Sequence, residues 1–460
     1  MTTEAAGSKS TTMELGSVPI GIVSLPPELL AVIFEIALKD SKRRVQYKLP
    51  FEVVLSHVSS LWRTVALTTP VLWTQVYIYS SRADCAANYL QRSGSQLLLD
   101  IRVDIYNVDK RMLIGSVRKR DALIQSIVKT IFPHVHRARS LLVLSCFELT
   151  ALTLLSHLSN AVAPHLQRLR INIGHPATMG PRTASFNAFN GSLPQLTFLE
   201  SDLPYCVPLS LQNLTTLHLH TLTDTMNLSY QSFFSIITSS PSLCNLSIQG
   251  SLNLSSWPLD AAYRPGFSMN NLKALRLPDD GVFSVKILLA VSAPNLESLW
   301  LGSSFTGYDY FFDTPQMTGP VKFPALKYLT IPCYDFSHNT QFPAAFPTVT
   351  YLHLPYASFY NHGAVMVTFA AHWKHLDTLA TGLIRQSQMP KFHGALCNFL
   401  PLRRNAGYPL HTLLIDEDLR SMLEKERPNV SVHVKVDLLN SETYREPWWI
   451  MSHERPVDHP

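Results

Sequence analysis

Charge is scarce in this chain. Of 460 residues, 15% are Asp, Glu, Lys or Arg, against about 25% in an ordinary globular protein. Disordered chains are rich in charge and poor in aromatics. With 46% apolar and 10% aromatic residues, disorder is excluded as the main organisation. A net charge of +5 over this length is not the footprint of a dedicated nucleic-acid binder. Paired cysteines are also missing. Cys85, Cys146, Cys206, Cys244, Cys333 and Cys397 lie no closer than 38 residues apart. No C-x-x-C pair exists, which removes zinc ribbons and thioredoxin-like motifs. Isolated thiols of this kind suit a reducing compartment, cytosol or nucleus. Long apolar runs are absent as well. Residues 18–38 look apolar but carry Pro19, Pro26, Pro27, Glu28 and Glu35, so no membrane span is expected. The first 17 residues have no apolar h-region, so no secretory leader is expected. Neither G-x-S-x-G, nor G-x-x-x-x-G-K-S/T, nor G-x-G-x-x-G occurs, and no catalytic activity or cofactor is expected.

What the chain has is a repeat. The template L-x-x-L-x-L begins at Leu166, Leu214, Leu243, Leu272, Leu296, Leu326, Val349 and Leu410, with imperfect copies at Leu196 and Leu376. The mean spacing is about 27 residues, inside the window of leucine-rich repeats. A degenerate earlier copy reads Arg139-x-x-Leu142-x-Leu144. Helix-like runs lie between strands at 232–237, 285–291 and 364–371. Strand plus helix, iterated, predicts an irregular right-handed βα solenoid over 139–438, because no single repeat can bury its apolar face alone. The asparagine ladder of regular arrays is mostly missing. Residues 76–138 read as linker helices plus the first strand, Gln96–Val103, with a helix near 110–131. Val432–Val436 alternates as a last strand. The tail 439–460, with Trp448 and Trp449, reads as a cap.

A different pattern fills residues 23–75, after a polar leader over 1–22. Ser24 can cap a helix whose first turn holds Pro26 and Pro27. Leu30, Ile33, Phe34 and Ala37 then share one helical face. Lys42, Arg43 and Arg44 fall in a charged loop. A second helical run opens at Pro50 and places Val54, Val58, Leu61 and Val65 together, with Trp62 beside them. Three short helices make a marginal core, and apolar groups left over suggest an obligate partner.

These residues resemble the F-box. The matching elements are L-P-P-E-L-L at 25–30, I-F at 33–34, V-S-S-L-W-R-T-V-A at 58–66 and T-T-P-V-L-W at 68–73. The W-R pair and the trailing T-P-x-L-W resemble the version common in mushroom-forming fungi. Ser59 stands where many family members have Cys, and the loop at 39–50 is longer than in the minimal motif. The resemblance implies docking on the small S-phase-kinase-associated adaptor, and through it on a cullin scaffold with its RING ubiquitin-transfer machinery. Carried over by position, the docking face comprises Leu25, Pro26, Leu30, Ile33, Val54, Val58 and Trp62. The overall expectation is therefore α/β: a small three-helix F-box-like unit followed by a leucine-rich-repeat solenoid. The implied role is target recognition for a ubiquitin ligase, with no nucleic acid or membrane partner. A leucine-rich-repeat scaffold with no part in ubiquitin transfer is the alternative.

Positions between the leucines point to the opposite face of each strand. They are Arg168, Arg170, His218, His220, Arg276, Trp300, Tyr328, Tyr351 and His353. Arg, Trp and Tyr are enriched at interface hot spots, so this concave face is expected to bind an unknown protein target. Two histidines at i, i+2, His218 and His220, can ligate zinc. No third ligand is evident nearby in sequence, so no metal is expected.

Overall fold

The computed structural model describes residues 22, 25–41, 49–79, 83–106, 117–175, 189, 193–203, 211–222, 230–250, 266–277, 281–302, 321–331, 344–355, 373–382, 389–417, 419–421 and 434–439. The Ser24 cap, the Lys42–Arg44 cluster, the helical run at 364–371 and the Trp448–Trp449 tail lie outside these residues. The chain divides into two compact units, Met1–Val76 with Cys85–Leu97, and Tyr77–Asp84 with Leu98–Pro460.

The first unit opens with three helices, α1 (Pro27–Ser41), α2 (Phe51–Ser56) and α3 (Ser60–Thr68). Proline begins α1, where its missing N–H costs nothing. The N–H groups of Leu29 and Leu30 reach back to the Pro26 carbonyl at 3.1 and 3.2 Å. Ser59 caps α3, its hydroxyl accepting from the Trp62 N–H at 3.2 Å, which satisfies one of the orphan donors of the first turn. The chain then turns tightly over Pro70–Trp73. Leu30, Phe34, Leu38, Leu55, Val65, Ala66, Leu72 and Trp73 form the core. Trp73 donates its indole N–H to the Ala66 carbonyl at 2.7 Å.

Next come β1 (Gln75–Tyr79) and α4 (Ala83–Arg92). From sequence, the first unit ends at 75 and residues 76–138 are linker helices plus the first strand of the solenoid. The structure instead groups Cys85–Leu97 with the helices. Tyr89 stands edge-on to Trp73 at 5.0 Å, and the Arg92 guanidinium lies 4.4 Å over the same ring. The Tyr89 hydroxyl donates to the buried Glu52 carboxylate. Through these contacts α4 packs on the Trp73 indole, which is fully buried.

The second unit is a repeating α/β array. Its elements are β2 (Leu99–Asp104), α5 (Val117–Ile131), β3 (Ala138–Phe147), α6 (Glu148–His157), β4 (Arg168–His175), β5 (Phe198–Ser201), β6 (Thr216–Leu222), α7 (Tyr230–Thr238) and β7 (Asn245–Gly250). There follow β8 (Phe267–Ser268), β9 (Ala274–Arg276), α8 (Gly281–Ala290), β10 (Val291–Ser292), β11 (Ser298–Trp300), β12 (Tyr328–Thr330) and β13 (Tyr351–Leu354). The last are β14 (Thr378–Thr381), α9 (Met389–Asn405), β15 (Thr412–Ile415) and β16 (Lys435–Leu438). From β2 to β16 the strands pair in chain order and in parallel, with β8 and β10 set aside as their own pair. Every one of the ten template copies forms a strand of this sheet. The architecture is α/β and solenoid-like. Among the described residues no helix is long and apolar enough to cross a membrane.

Two devices hold the array in register. The second leucines stack into one ladder: Leu169, Leu199, Leu217, Leu246, Leu275, Leu299, Leu329, Leu352, Leu379 and Leu413 are successive register partners, and all are buried. Several of the first leucines close turns that proline pre-sets at its second position. The N–H of Leu166 bonds to Ala163 O, that of Leu196 to Leu193 O, that of Leu296 to Ala293 O and that of Leu326 to Phe323 O, at 3.1–3.2 Å. The next N–H in each repeat then bonds to the previous repeat, as in Gln167 to Arg139 O, Thr197 to Gln167 O and Lys327 to Glu297 O. Asparagines bridge neighbouring repeats near these turns: Asn213, Asn271 and Asn295 donate side-chain N–H groups to the carbonyls of Pro194, Pro241 and Asn270.

One repeat frame needs correction. Leu141, not Leu142, is the register partner of Leu169, and Ala138, Leu141 and Val143 are buried while Leu142 is half-exposed. The earliest copy therefore reads 138–141–143. A one-residue slip flips every side chain, and burial of the aligned triplet selects the frame.

Candidate functional site

The face opposite the leucine ladder carries two rows. One holds Arg168, Phe198, Thr216, Asn245, Ala274, Ser298, Tyr328 and Tyr351; the other holds Arg170, Glu200, His218, Ser247, Arg276, Trp300, Thr330 and His353. Parallel pairing in strict chain order makes each row continuous, because side chains two apart on a strand share a face. All nine residues expected on this face are there, eight of them gathered into two groups.

The first group spans β4 to β6. The Arg170 Nε donates to Glu200 Oε2 at 2.9 Å, and Asn172 donates to Glu200 Oε1 at 2.9 Å. His220 Nε2 stands 3.8 Å from Glu200 Oε1. His218 packs edge-on to His220 at 5.6 Å and against Phe198 at 5.5 Å. Burial pushes the Glu200 carboxyl pKa up, but the Arg170 guanidinium, His220, the Asn172 hydrogen bond and His218 outweigh it. The net result lies below the ordinary carboxylate value, so Glu200 is ionised although almost no solvent reaches it. Arg168 stands apart from this network and is exposed.

The second group spans β9 to β13. The Arg276 guanidinium lies 4.2 Å over the Trp300 ring, a cation–π contact. His353 meets the same indole edge-on, with centroids 6.3 Å apart. Tyr328 and Tyr351 pack at 5.6 Å, and Tyr351 joins Ala380 and Leu414 in a small apolar cluster. Burial alone drives the His353 pKa down to about 3, so this imidazole is neutral.

The accessible part of the face is smaller than sequence implies. His218, His220, Tyr351 and His353 are buried, whereas Arg170, Arg276, Trp300 and Tyr328 are partly exposed and Arg168 is exposed. A target meeting this face would touch the latter five. Glu200 is the residue that sequence reasoning missed. Its signal was available: once the imperfect copy at Leu196 is aligned with that at Leu214, Glu200 falls in the same column as His218.

In the first unit, the expected docking residues divide differently. Leu30 is fully buried in the core, and Leu25 and Trp62 pack half-buried against it. The Trp62 ring sits 4.9 Å from that of Phe34. Pro26, Ile33, Val54 and Val58 are exposed. Leu30 thus holds the unit together rather than facing outward: it lies one helical turn before Phe34, on the inward stripe of α1.

No family model matches the chain, and no curated protein matches it. Among solved structures, the crystal structure of a Bacteroides fragilis protein is similar over 78% of each chain, at 13% identity and a TM-score of 0.32. A likeness at that level carries no argument.

Proposed function

We propose that the chain is the target-recognition subunit of a cullin-RING (SCF-type) ubiquitin ligase, working in cytosol or nucleus. The first unit would dock the S-phase-kinase-associated adaptor as an F-box does, and the second, read as a right-handed leucine-rich-repeat solenoid, would hold a protein target. Catalysis would belong to the partners. The chain would raise the effective concentration of a target lysine near the charged ubiquitin.

The observation that carries this reading is the apolar surface of the first unit. Leu29 (52%), Val32 (52%), Ile36 (62%) and Val58 (56%) are exposed, and Ile33 and Val54 are exposed with them. The unit has a closed core of its own, so folding does not require these side chains to be outside. A soluble domain rarely leaves so many large aliphatics in water unless a partner covers them. On the second unit, the accessible residues Arg168, Arg170, Arg276, Trp300 and Tyr328 would be the target contacts.

The experiment is co-purification of the full chain with the adaptor, wild type against Ile33→Ser/Val58→Ser. A stoichiometric complex lost in the double variant supports the reading, and absence of a complex with the wild type overturns it. A scaffold without ubiquitin transfer is favoured by one observation, the burial of four of the nine expected target-facing residues. On that reading the half-lives of bound partners would not change in the docking variant.

A further inference from the structure

Glu200, His218 and His220 converge from two neighbouring strands of the second unit. Glu200 on β5 is the register partner of His218 on β6, and His220 follows two residues later on the same face. All three are buried. A carboxylate oxygen and one ring nitrogen from each histidine lie within 4.8 Å of one another. Around a tetrahedral zinc ion the donor atoms are about 3.4 Å apart, given bond lengths near 2.1 Å. Small side-chain rotations would close that difference. Among the described residues this is the one group of three such ligands.

Two further features point the same way. Glu200 is oriented from outside by Arg170 and Asn172, each at 2.9 Å, as the carboxylates of metal sites are by their outer partners. On the far side, Ser247 of β7 is the next register partner of His218. It is buried on the same face, about one strand spacing of 4.8 Å away, and its hydroxyl has no hydrogen-bond partner. A buried hydroxyl left unsatisfied is costly; a water on a metal beside it would satisfy it.

We propose that Glu200, His218 and His220 bind one Zn2+ ion, with a water or hydroxide in the fourth position held by Ser247. Two imidazole nitrogens and one carboxylate are a zinc-type donor set, and calcium and magnesium prefer all-oxygen shells. The Arg170 cation beside the site favours hydroxide as the fourth ligand. The ion joins β5 to β6, the shortest step of the array, where only 18 residues separate Leu196 from Leu214. The metal would tie these two strands together. This inference does not depend on adaptor docking.

The test uses the full chain, purified without a polyhistidine tag, stripped with chelator and titrated with zinc alone. Elemental analysis should find close to one zinc per chain, with an upward shift of the melting temperature on loading. His218→Gln and Glu200→Gln should each abolish both effects, whereas His353→Gln, a buried histidine elsewhere on the same face, should leave them intact. No zinc uptake by the wild type, or uptake unchanged in the first two variants, overturns the proposal. Should those variants fail to fold, His220→Cys decides: loaded with cobalt, it should gain a thiolate-to-metal charge-transfer band absent from the wild type. Lack of that band in folded protein also overturns the proposal.

Discussion

Acid should destabilise the second unit through His353, and the size of the effect follows from its burial. The imidazole lies on β13 beside Trp300, with Arg276 stacked on that indole, and desolvation lowers its pKa from 6.5 to about 3. In the unfolded chain the same group titrates near 6.5. Between those two values the unfolded state binds the proton and the native state does not, so stability falls as pH falls. The contribution is fully present above about pH 6.5 and its loss is complete near pH 3. At about 1.36 kcal/mol per pKa unit, the gap between the two values gives a ceiling of about 5 kcal/mol. At pH 5 the loss is already about 2 kcal/mol, while at pH 7 it is only about 0.2 kcal/mol. The assay is urea unfolding followed by far-ultraviolet circular dichroism at pH 7 and pH 5, wild type against His353→Gln. Glutamine keeps a polar side chain of similar reach but carries no titrating proton. The wild type should lose about 2 kcal/mol more than the variant between the two pH values. Equal losses in both proteins would refute the reasoning, since other histidines cancel in the difference.

Three other outcomes are expected. Leu329→Ala, in the middle of the leucine ladder and fully buried, should cost about 2–5 kcal/mol through lost burial and the cavity left behind, read as a lowered melting temperature. Arg403, fully buried on α9, donates to the carbonyls of Trp373 at 2.8 Å and Leu376 at 2.9 Å; Arg403→Met should leave both acceptors short of a donor and cost about 3 kcal/mol, with faster amide exchange across α9. In the first unit, Ile33→Ser/Val58→Ser should change stability by no more than about 1 kcal/mol because both side chains are exposed, whereas Leu30→Ala should cost about 2–5 kcal/mol, so thermal melts will separate surface from core.

The leucine template was legible in sequence because it is imposed locally: each strand must present alternate side chains to a common core, and a turn closed by the first leucine precedes most of these strands. Leu196 and Leu376 keep that pattern well enough to be found, and both copies are strands. The helical runs at 232–237 and 285–291 were legible for the same reason, falling largely within α7 and α8. The frame of the earliest copy was not, because Leu141, Leu142, Val143 and Leu144 are all apolar and only contact with β4 selects between the two registers. β1, with its five residues, carries no template and offers no such signal.

In the ten later template copies the sequence by itself determined which residues lie on each side of the strands, since a period of two needs no knowledge of neighbours. It also separated the helical N-terminal segment from the repeats, by a change of hydrophobic period. Tertiary structure alone decided what those faces meet. It brought Glu200 beside His218 and His220 across an 18-residue step of the chain, turned Leu30 inward while leaving Ile33 in water, and covered Trp73 with Tyr89 and Arg92 from beyond the expected boundary. Burial and electrostatic environment are sums over groups distant in sequence, and only the folded chain fixes which groups enter the sum.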